Sequence, residues 1–202
     1  LGMPGSTLAG VTLSPDGSRL YVTTEVTPAG TVVPGSDDPI LGGPARCWSP
    51  SVDVTLFGTL SVIDVKAAES GVGDPILQTV AAGCSPTRMV VSADGSTLFT
   101  GARGDNRLLA FGTAALEGPD PARALLGHAT TGSPGSDGSE PVGLQLFYDD
   151  RLLLIADSNR FAPTPQGNAE IFDVTDPSAP VLVQTVAAGL FPRNVTLAAD
   201  GS

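Results

Sequence analysis

Nine of the 202 residues are arginine and one, Lys66, is lysine. Three of those arginines, Arg103, Arg160 and Arg193, stand close in sequence to Asp105, Asp157, Asn159 and Asn194, and Arg88 stands apart from them. A guanidinium is a planar fork of donors that can hold a carboxylate through two parallel bonds. Several such forks converging on one point would clamp a small anionic ligand, with the acids and amides ordering them. The same arginines can instead bridge neighbouring structural units by salt links, and that alternative stands beside the first. Groups for acid–base or nucleophilic chemistry are scarce. The lone histidine is His128, and the sequence has no Gly-x-Ser-x-Gly elbow, P-loop, HExxH or dinucleotide fingerprint. No catalytic residue, cofactor or metal is therefore assigned.

Bringing those residues together requires elements that repeat, and the chain repeats. Gln78–Gly95, QTVAAGCSPTRMVVSADG, returns 106 residues later as Gln184–Gly201, QTVAAGLFPRNVTLAADG. Self-similarity at a fixed period outranks any local reading. The pair Asp-Gly recurs at Asp16-Gly17, Asp94-Gly95 and Asp200-Gly201, with Asp149 holding the place in LFYDDRLLL; the spacings are 78, 55 and 51 residues. A four-stranded blade takes about 40–50 residues, so the first unit carries an insertion. Each unit opens on an alternating run (Val11/Leu13, Met89/Val91, Leu144/Leu146, Val195/Leu197), the period-2 pattern of a strand. Asp-Gly supplies the positive φ of a tight turn, and three more β-rich runs follow.

The expected fold is all-β: a β-propeller of four-stranded antiparallel blades. The blades fall at about 10–83, with an insertion at 25–57, then 84–141 and 142–189, and residues 190–202 start a further blade. Ser14-Pro15-Asp16-Gly17-Ser18-Arg19-Leu20-Tyr21-Val22-Thr23 resembles the YVTN-type propeller repeat. The LSVIDV strand at 60–65 and the Gly83-x-x-Pro86 entry loop fit the same pattern. The second unit departs from it with Leu98-Phe99-Thr100-Gly101, and the third lacks Asp-Gly. The resemblance implies relatives among bacterial and fungal secreted or surface propellers, the seven-bladed lactonase family and its muconate-cyclising cousins. It makes two functions expectations. One is a secreted or surface scaffold that binds a ligand or partner on its loop face. The other is an enzyme acting on a small carboxylate or lactone at the channel mouth.

Aligning the units on their aspartates puts Glu25, Arg103 and Asp157 at one position, the end of the second strand. Two residues past each entry-loop proline stand Arg88, Gly143 and Asn194, with Arg193 beside the last. The four arginines are thus expected round the channel mouth, with Asp105, Asp157 and Asn159 between them. His128 is expected far out, on a fourth strand.

Composition sets the remaining bounds. The formal charge is −11 and charged residues make up 15% of the chain, with no basic stripe, which argues against nucleic acid as a partner. No apolar run is long enough to span a membrane. The only cysteines, Cys47 in the insertion and Cys84 in an entry loop, are expected on one face of one blade boundary. A disulfide is the preferred reading; two unrelated thiols, one buried, is the alternative. Asp37, Asp38, Asp137 and Glu140 offer oxygens but lack the ordered alternation of a calcium loop, so solvated loops are the plainer reading. The sequon Asn194-Val195-Thr196 lies on an expected inner strand and is expected to stay unmodified. The remaining blades are expected from a longer chain or a second copy.

Overall fold

A computed structural model describes residues 6–28, 30–42, 57–132, 140–160 and 166–198. Twelve strands form three four-stranded antiparallel sheets, each in sequence order. The first holds β1 (Ser6–Leu13), β2 (Arg19–Val26), β3 (Phe57–Asp64) and β4 (Ile76–Cys84). The second holds β5 (Pro86–Val91), β6 (Thr97–Ala102), β7 (Arg107–Gly112) and β8 (Leu125–Thr130). The third holds β9 (Pro141–Phe147), β10 (Leu152–Asp157), β11 (Gln166–Asp173) and β12 (Val181–Leu190). The opening strands β1, β5 and β9 lie against one another, so they are the inner strands and the sheets are blades around them. This is the propeller arrangement that the repeat predicts. Residues 191–198 run on from β12 without strand pairing and pass close to Gly143 of β9.

Alternation along β7 builds two seams at once. Leu109 and Phe111 pack with Leu60, Val62 and Val80 of the first blade. Leu108 and Ala110 face the other way, onto Leu144, Leu153, Ile155 and Phe172 of the third. Each large side chain removed from water contributes on the order of 1.5–3 kcal/mol. The seams therefore hold the blades in register far more firmly than any surface ion pair could.

The Asp-Gly turns are boxed by serines. Ser14 Oγ donates to Asp16 at 2.6 Å and the Ser18 amide donates to it at 3.0 Å. In the second blade the Ser96 amide donates to Asp94 at 2.9 Å, and Ser92 Oγ donates as well. The third blade has no glycine at this turn. Tyr148, Asp149 and Asp150 take φ of +55°, +53° and +59° there, a left-handed run that costs each non-glycine residue free energy. Asp150 offsets part of that by accepting the Ala93 amide of the neighbouring turn. Two short helices, α1 (Val65–Ser70) and α2 (Thr113–Leu116), sit between third and fourth strands, and no longer helix occurs among the described residues. Asp64 caps α1 by accepting the Ala67 amide at 2.8 Å.

The described stretch 30–42 of the insertion is more ordered than a solvated loop. Leu41 is 1% exposed and belongs to the first seam's core. The Pro34 carbonyl accepts the Ala81 amide at 3.0 Å and the Leu41 carbonyl accepts the Gly83 amide at 2.7 Å. Asp38, offered by the sequence as a calcium ligand, instead accepts the amides of Ile40 and Leu41. Composition had hidden this docking, because one apolar anchor in a Pro/Gly/Asp-rich stretch leaves no periodic signal. Asp137 lies outside the described residues.

Candidate functional site at the loop face

Connections between blades and between second and third strands emerge on one face, and there the inner strands open into a cleft of about 240 Å³. Arg88, Arg103, Arg160 and Arg193 all line it. Glu25 and Glu140 are its only acids among the described residues, leaving a formal surplus of two positive charges in a chain of −11. Local potential rather than net charge decides which small ion such a cleft concentrates.

The four arginines reach the cleft differently, Arg88 and Arg103 from the second blade, Arg160 from the third and Arg193 from the segment after it. Arg88 projects from β5, and its Nη1 donates to the carbonyls of Val142 at 3.1 Å and Arg193 at 2.6 Å. It thereby spans from the second blade over the third to the segment after β12. Its guanidinium meets backbone oxygens rather than a carboxylate, so its charge is not neutralised there. Arg103 opens the short 3-10 turn after β6 and pairs with Glu25 across the first seam, Nη2 to Oε1 at 3.1 Å. For Arg103 the bridging alternative therefore describes the geometry. Arg193 is exposed on the chain after β12. Arg160 follows β10, and its amide donates to Glu140 Oε2 at 2.7 Å.

Glu140 fixes one wall. Its Oε2 also accepts Ser158 Oγ at 3.0 Å, its carbonyl accepts the Ser158 amide, and its own amide donates to Asn106 Oδ1 at 3.0 Å. The turns of two blades are tied together through this one residue. By residue type Glu140 offered an oxygen ligand, with a solvated loop the plainer reading. Its partners could not be foreseen, because the stretch before it has no regular pattern to set its position.

Four other expected members lie outside the cleft lining. Asp105 turns back to Arg107, Oδ2 to Nε at 3.8 Å. Asp157 is fully buried in the seam between the second and third blades. Asn159 is 8% exposed, and its Nδ2 donates to the Gln166 carbonyl at 2.9 Å. Asn194 is exposed beside Arg193 but is not part of the lining. His128 stands exposed on outer strand β8. Cys84 is 3% exposed at the end of β4, and no cysteine among the described residues is free; Cys47 lies outside them.

A larger cavity of about 900 Å³ opens on the opposite face, lined by Phe99, Leu146 and Tyr148 with Asp94, Asp149 and Asp150. Asp94 is occupied by Ser92 and Ser96, and Asp150 by the Ala93 amide. Asp94 and Asp150 thus hold turns, and the described lining of this cavity has a single arginine, Arg151. No helix among the described residues is long and apolar enough to cross a membrane, and no group of three or more His, Cys, Asp or Glu among them is arranged to hold a metal.

The fold is similar to that of solved propellers. Hydrazine synthase of Kuenenia stuttgartiensis superposes with a TM-score of 0.64 at 16% identity, over 100% of this chain and 41% of that one. A periplasmic gluconolactonase of Pseudomonas aeruginosa gives 0.62 at 17%, over 96% of this chain and 45% of that one. The Cps50 (Swd1) β-propeller domain of Myceliophteria thermophila gives 0.56 at 11%, over 93% and 46%. The chain thus spans a little under half the length of these structures. No family model matches the sequence, and no curated protein matches it. At these identities the likeness establishes the fold: three blades of a β-propeller, a fold shared by lactonases and WD40-type proteins alike.

Proposed function

We propose that this protein binds a small anion, with a carboxylate or a similar group, in the loop-face cleft. The observation that carries the reading is the convergence of Arg88 and Arg103 from the second blade, Arg160 from the third and Arg193 from the segment after it on one cleft of about 240 Å³. The cleft is at or just below the small end of ligand pockets, roughly 300–1,000 Å³, and suits a compact ligand. Glu25 tempers Arg103, while Arg88 and Arg193 are exposed and neither pairs with a carboxylate among the described residues. They form the working clamp, with Arg160 assisting.

Binding without turnover is favoured over lactone hydrolysis or cyclisation by the state of the two acids. Glu25 is engaged by Arg103, and Glu140 by Ser158 and the Arg160 amide, so neither stands ready to take a proton. The lining among the described residues holds no histidine, cysteine, lysine or tyrosine. A YVTN-type lineage and a secreted or cell-surface location belong to the same proposal and rest on the Ser14–Thr23 motif.

Calorimetric titration with citrate, malonate and inorganic phosphate tests the reading, with Arg88→Ala and Arg193→Ala alone and combined. A charged hydrogen bond is worth about 1.5–3 kcal/mol, so each substitution should weaken binding by about one to two orders of magnitude. Equal binding by the double variant refutes the clamp. Hydrolysis of a panel of small lactones by the parent, abolished in the double variant, would turn the conclusion to the enzyme.

A further inference from the structure

The loop-face cleft holds open acceptors as well as donors. Its two acids, Glu25 and Glu140, are each held through one oxygen. Glu25 Oε1 pairs with Arg103 Nη2 at 3.1 Å. Glu140 Oε2 accepts Ser158 Oγ at 3.0 Å and the Arg160 amide at 2.7 Å. A carboxylate has two oxygens and about four lone-pair sites, so being held does not stop it from accepting elsewhere. Glu25 Oε2 and Glu140 Oε1 have no hydrogen-bond or ion-pair partner among the described residues. Both side chains are half-buried in the lining, where a solute can reach them.

The two open oxygens are not equal. Arg103 offsets the charge of Glu25 directly. The partners of Glu140 are a hydroxyl and a backbone amide, which carry no net charge, so Glu140 Oε1 is the stronger acceptor. The free arginines do not quench it. Arg88 Nη1 donates to the Val142 and Arg193 carbonyls, and no ion pair joins Arg88 or Arg193 to Glu140. A cleft serving only to tie blades together would let these groups neutralise one another, as Arg103 and Glu25 do. A cleft serving a bare anion would gain nothing from an open carboxylate, because like charges repel. Guanidinia and an open carboxylate that share a cleft without meeting suit a solute that carries both complementary functions.

The chain also sets the scale. Glu140 immediately precedes β9, and the Val142 carbonyl, two residues on, is the one that receives Arg88. Two residues span at most about 7 Å, so acceptor and donor are anchored a short distance apart. That separation suits a donor next to the ligand's carboxylate rather than at the far end of a long molecule.

We infer that the cleft selects acids carrying a hydrogen-bond donor on the carbon beside a carboxylate, the α-amino and α-hydroxy acids, and that Glu140 is the residue that reads the donor. This rests on the anion reading of the cleft and narrows it. The carboxylate takes Arg88 and Arg193, and the ammonium or hydroxyl donates to Glu140 Oε1. The surplus of two positive charges in the lining favours members with a second carboxylate. A site built to accept from a ligand's donor discriminates strongly against the analogue that lacks it, because the acceptor is then left facing the ligand unpaired.

Succinate, malate and aspartate share one four-carbon dicarboxylate skeleton and carry no donor, a hydroxyl and an ammonium beside the carboxylate. Calorimetric titration of the parent at neutral pH should find malate and aspartate tighter than succinate by roughly tenfold or more. Glu140→Gln keeps an oxygen for Ser158 and the Arg160 amide but can place donor hydrogens where the open acceptor stood. In that variant the preference should vanish, with succinate bound as tightly as before or more tightly. A larger loss for aspartate than for malate identifies the ammonium as the favoured donor, and the reverse identifies the hydroxyl. Succinate binding to the parent as tightly as the other two overturns this inference and leaves the anion clamp standing. Absence of binding by all three refutes the clamp and this inference with it. A preference that survives in folded Glu140→Gln overturns the role of Glu140. If that variant does not fold, the three titrations of the parent decide alone.

Discussion

Replacing Gly10 by alanine should destabilise the protein, although the same change in an ordinary strand stabilises by about 0.5–1 kcal/mol. Gly10 lies on inner strand β1 with no left-handed φ that would demand glycine. What it provides is space. A methyl group there would meet the Thr87 carbonyl oxygen, Thr23 Oγ1 at 2.8 Å and Arg88 Cα at 3.0 Å. Two of these are backbone of the next blade, and the third is held in a buried hydrogen bond, Thr23 Oγ1 donating to the Thr87 carbonyl at 2.6 Å. None can move aside without parting the first and second blades. Overpacking costs about 1–3 kcal/mol and a weakened buried hydrogen bond about 1 kcal/mol. Net of the strand gain, the loss is about 1.5–3 kcal/mol, or roughly 3–12 °C in Tm for a chain of this size. Gly17→Ala is the control. Gly17 has φ +72° and nothing within 4 Å of an added Cβ, so its cost, on the order of 1 kcal/mol, is purely conformational. Thermal unfolding by circular dichroism ranks the two. A Gly10→Ala protein as stable as the parent, or more stable than Gly17→Ala, would refute the packing argument. Thr87 and Arg88 also line the cleft, so Gly10→Ala should weaken anion binding while Gly17→Ala leaves it unchanged.

Three further outcomes are expected. Leu41→Ala should cost about 2–5 kcal/mol and speed hydrogen exchange at the Ala81 and Gly83 amides, which the docked insertion accepts; unchanged exchange would show that the segment is not held by Leu41. Asp16 is held down to about 2, chiefly by Ser14 Oγ and then by the Ser18 amide, so its contribution is present above the unfolded value of 3.8 and lost as pH falls through about 2. Asp16→Asn should flatten that acid limb of the stability curve, and an unaltered limb would show that the serine box adds nothing. We propose that Cys47 and Cys84 are bridged. Thiol titration of the denatured, unreduced chain should find no thiol, two thiols would refute the bridge, and reduction should remove roughly 3–4 kcal/mol of stability.

The repeat disclosed the blades because strand period, Asp-Gly turns and entry prolines are local signals that survive divergence. Strands β3, β7 and β11 were legible from short apolar runs such as Leu60–Val65, although the paired strand begins three residues earlier, at Phe57. That extension depends on Phe57 entering the seam core, a contact with no sequence marker. The four arginines that positional equivalence grouped, two of them in the second blade, line one cleft. That equivalence could not foresee what each guanidinium would touch. Glu25 and Arg103 hold the same alignment position in adjacent blades, and because blades stand side by side, equivalent residues of opposite charge meet at 3.1 Å. Asp157 holds that position in the third blade, yet it is fully buried, on the sheet face that Ile155 shares with Glu170.

The cleft arises where the repeats stop being identical. The inner-strand position after the entry loop is Gly10, Arg88, Gly143 and Asn194 in successive units. At two of these four places glycine lets the next blade's backbone approach: Thr87 and Arg88 close on Gly10, and Arg193 and Asn194 close on Gly143. A side chain at position 143 would meet the Arg193 carbonyl at 3.0 Å, the same oxygen that accepts Arg88 Nη1 at 2.6 Å. The long side chain in the second blade therefore reaches its acceptor because the third blade has none at the equivalent position. A chain with arginine in every unit would force guanidinia together and widen the mouth; one with glycine in every unit would close it and leave no charge. Alternating large and small residues at a single repeat position holds the blades close and still leaves cationic donors facing one cleft, using a backbone that each unit folds in the same way.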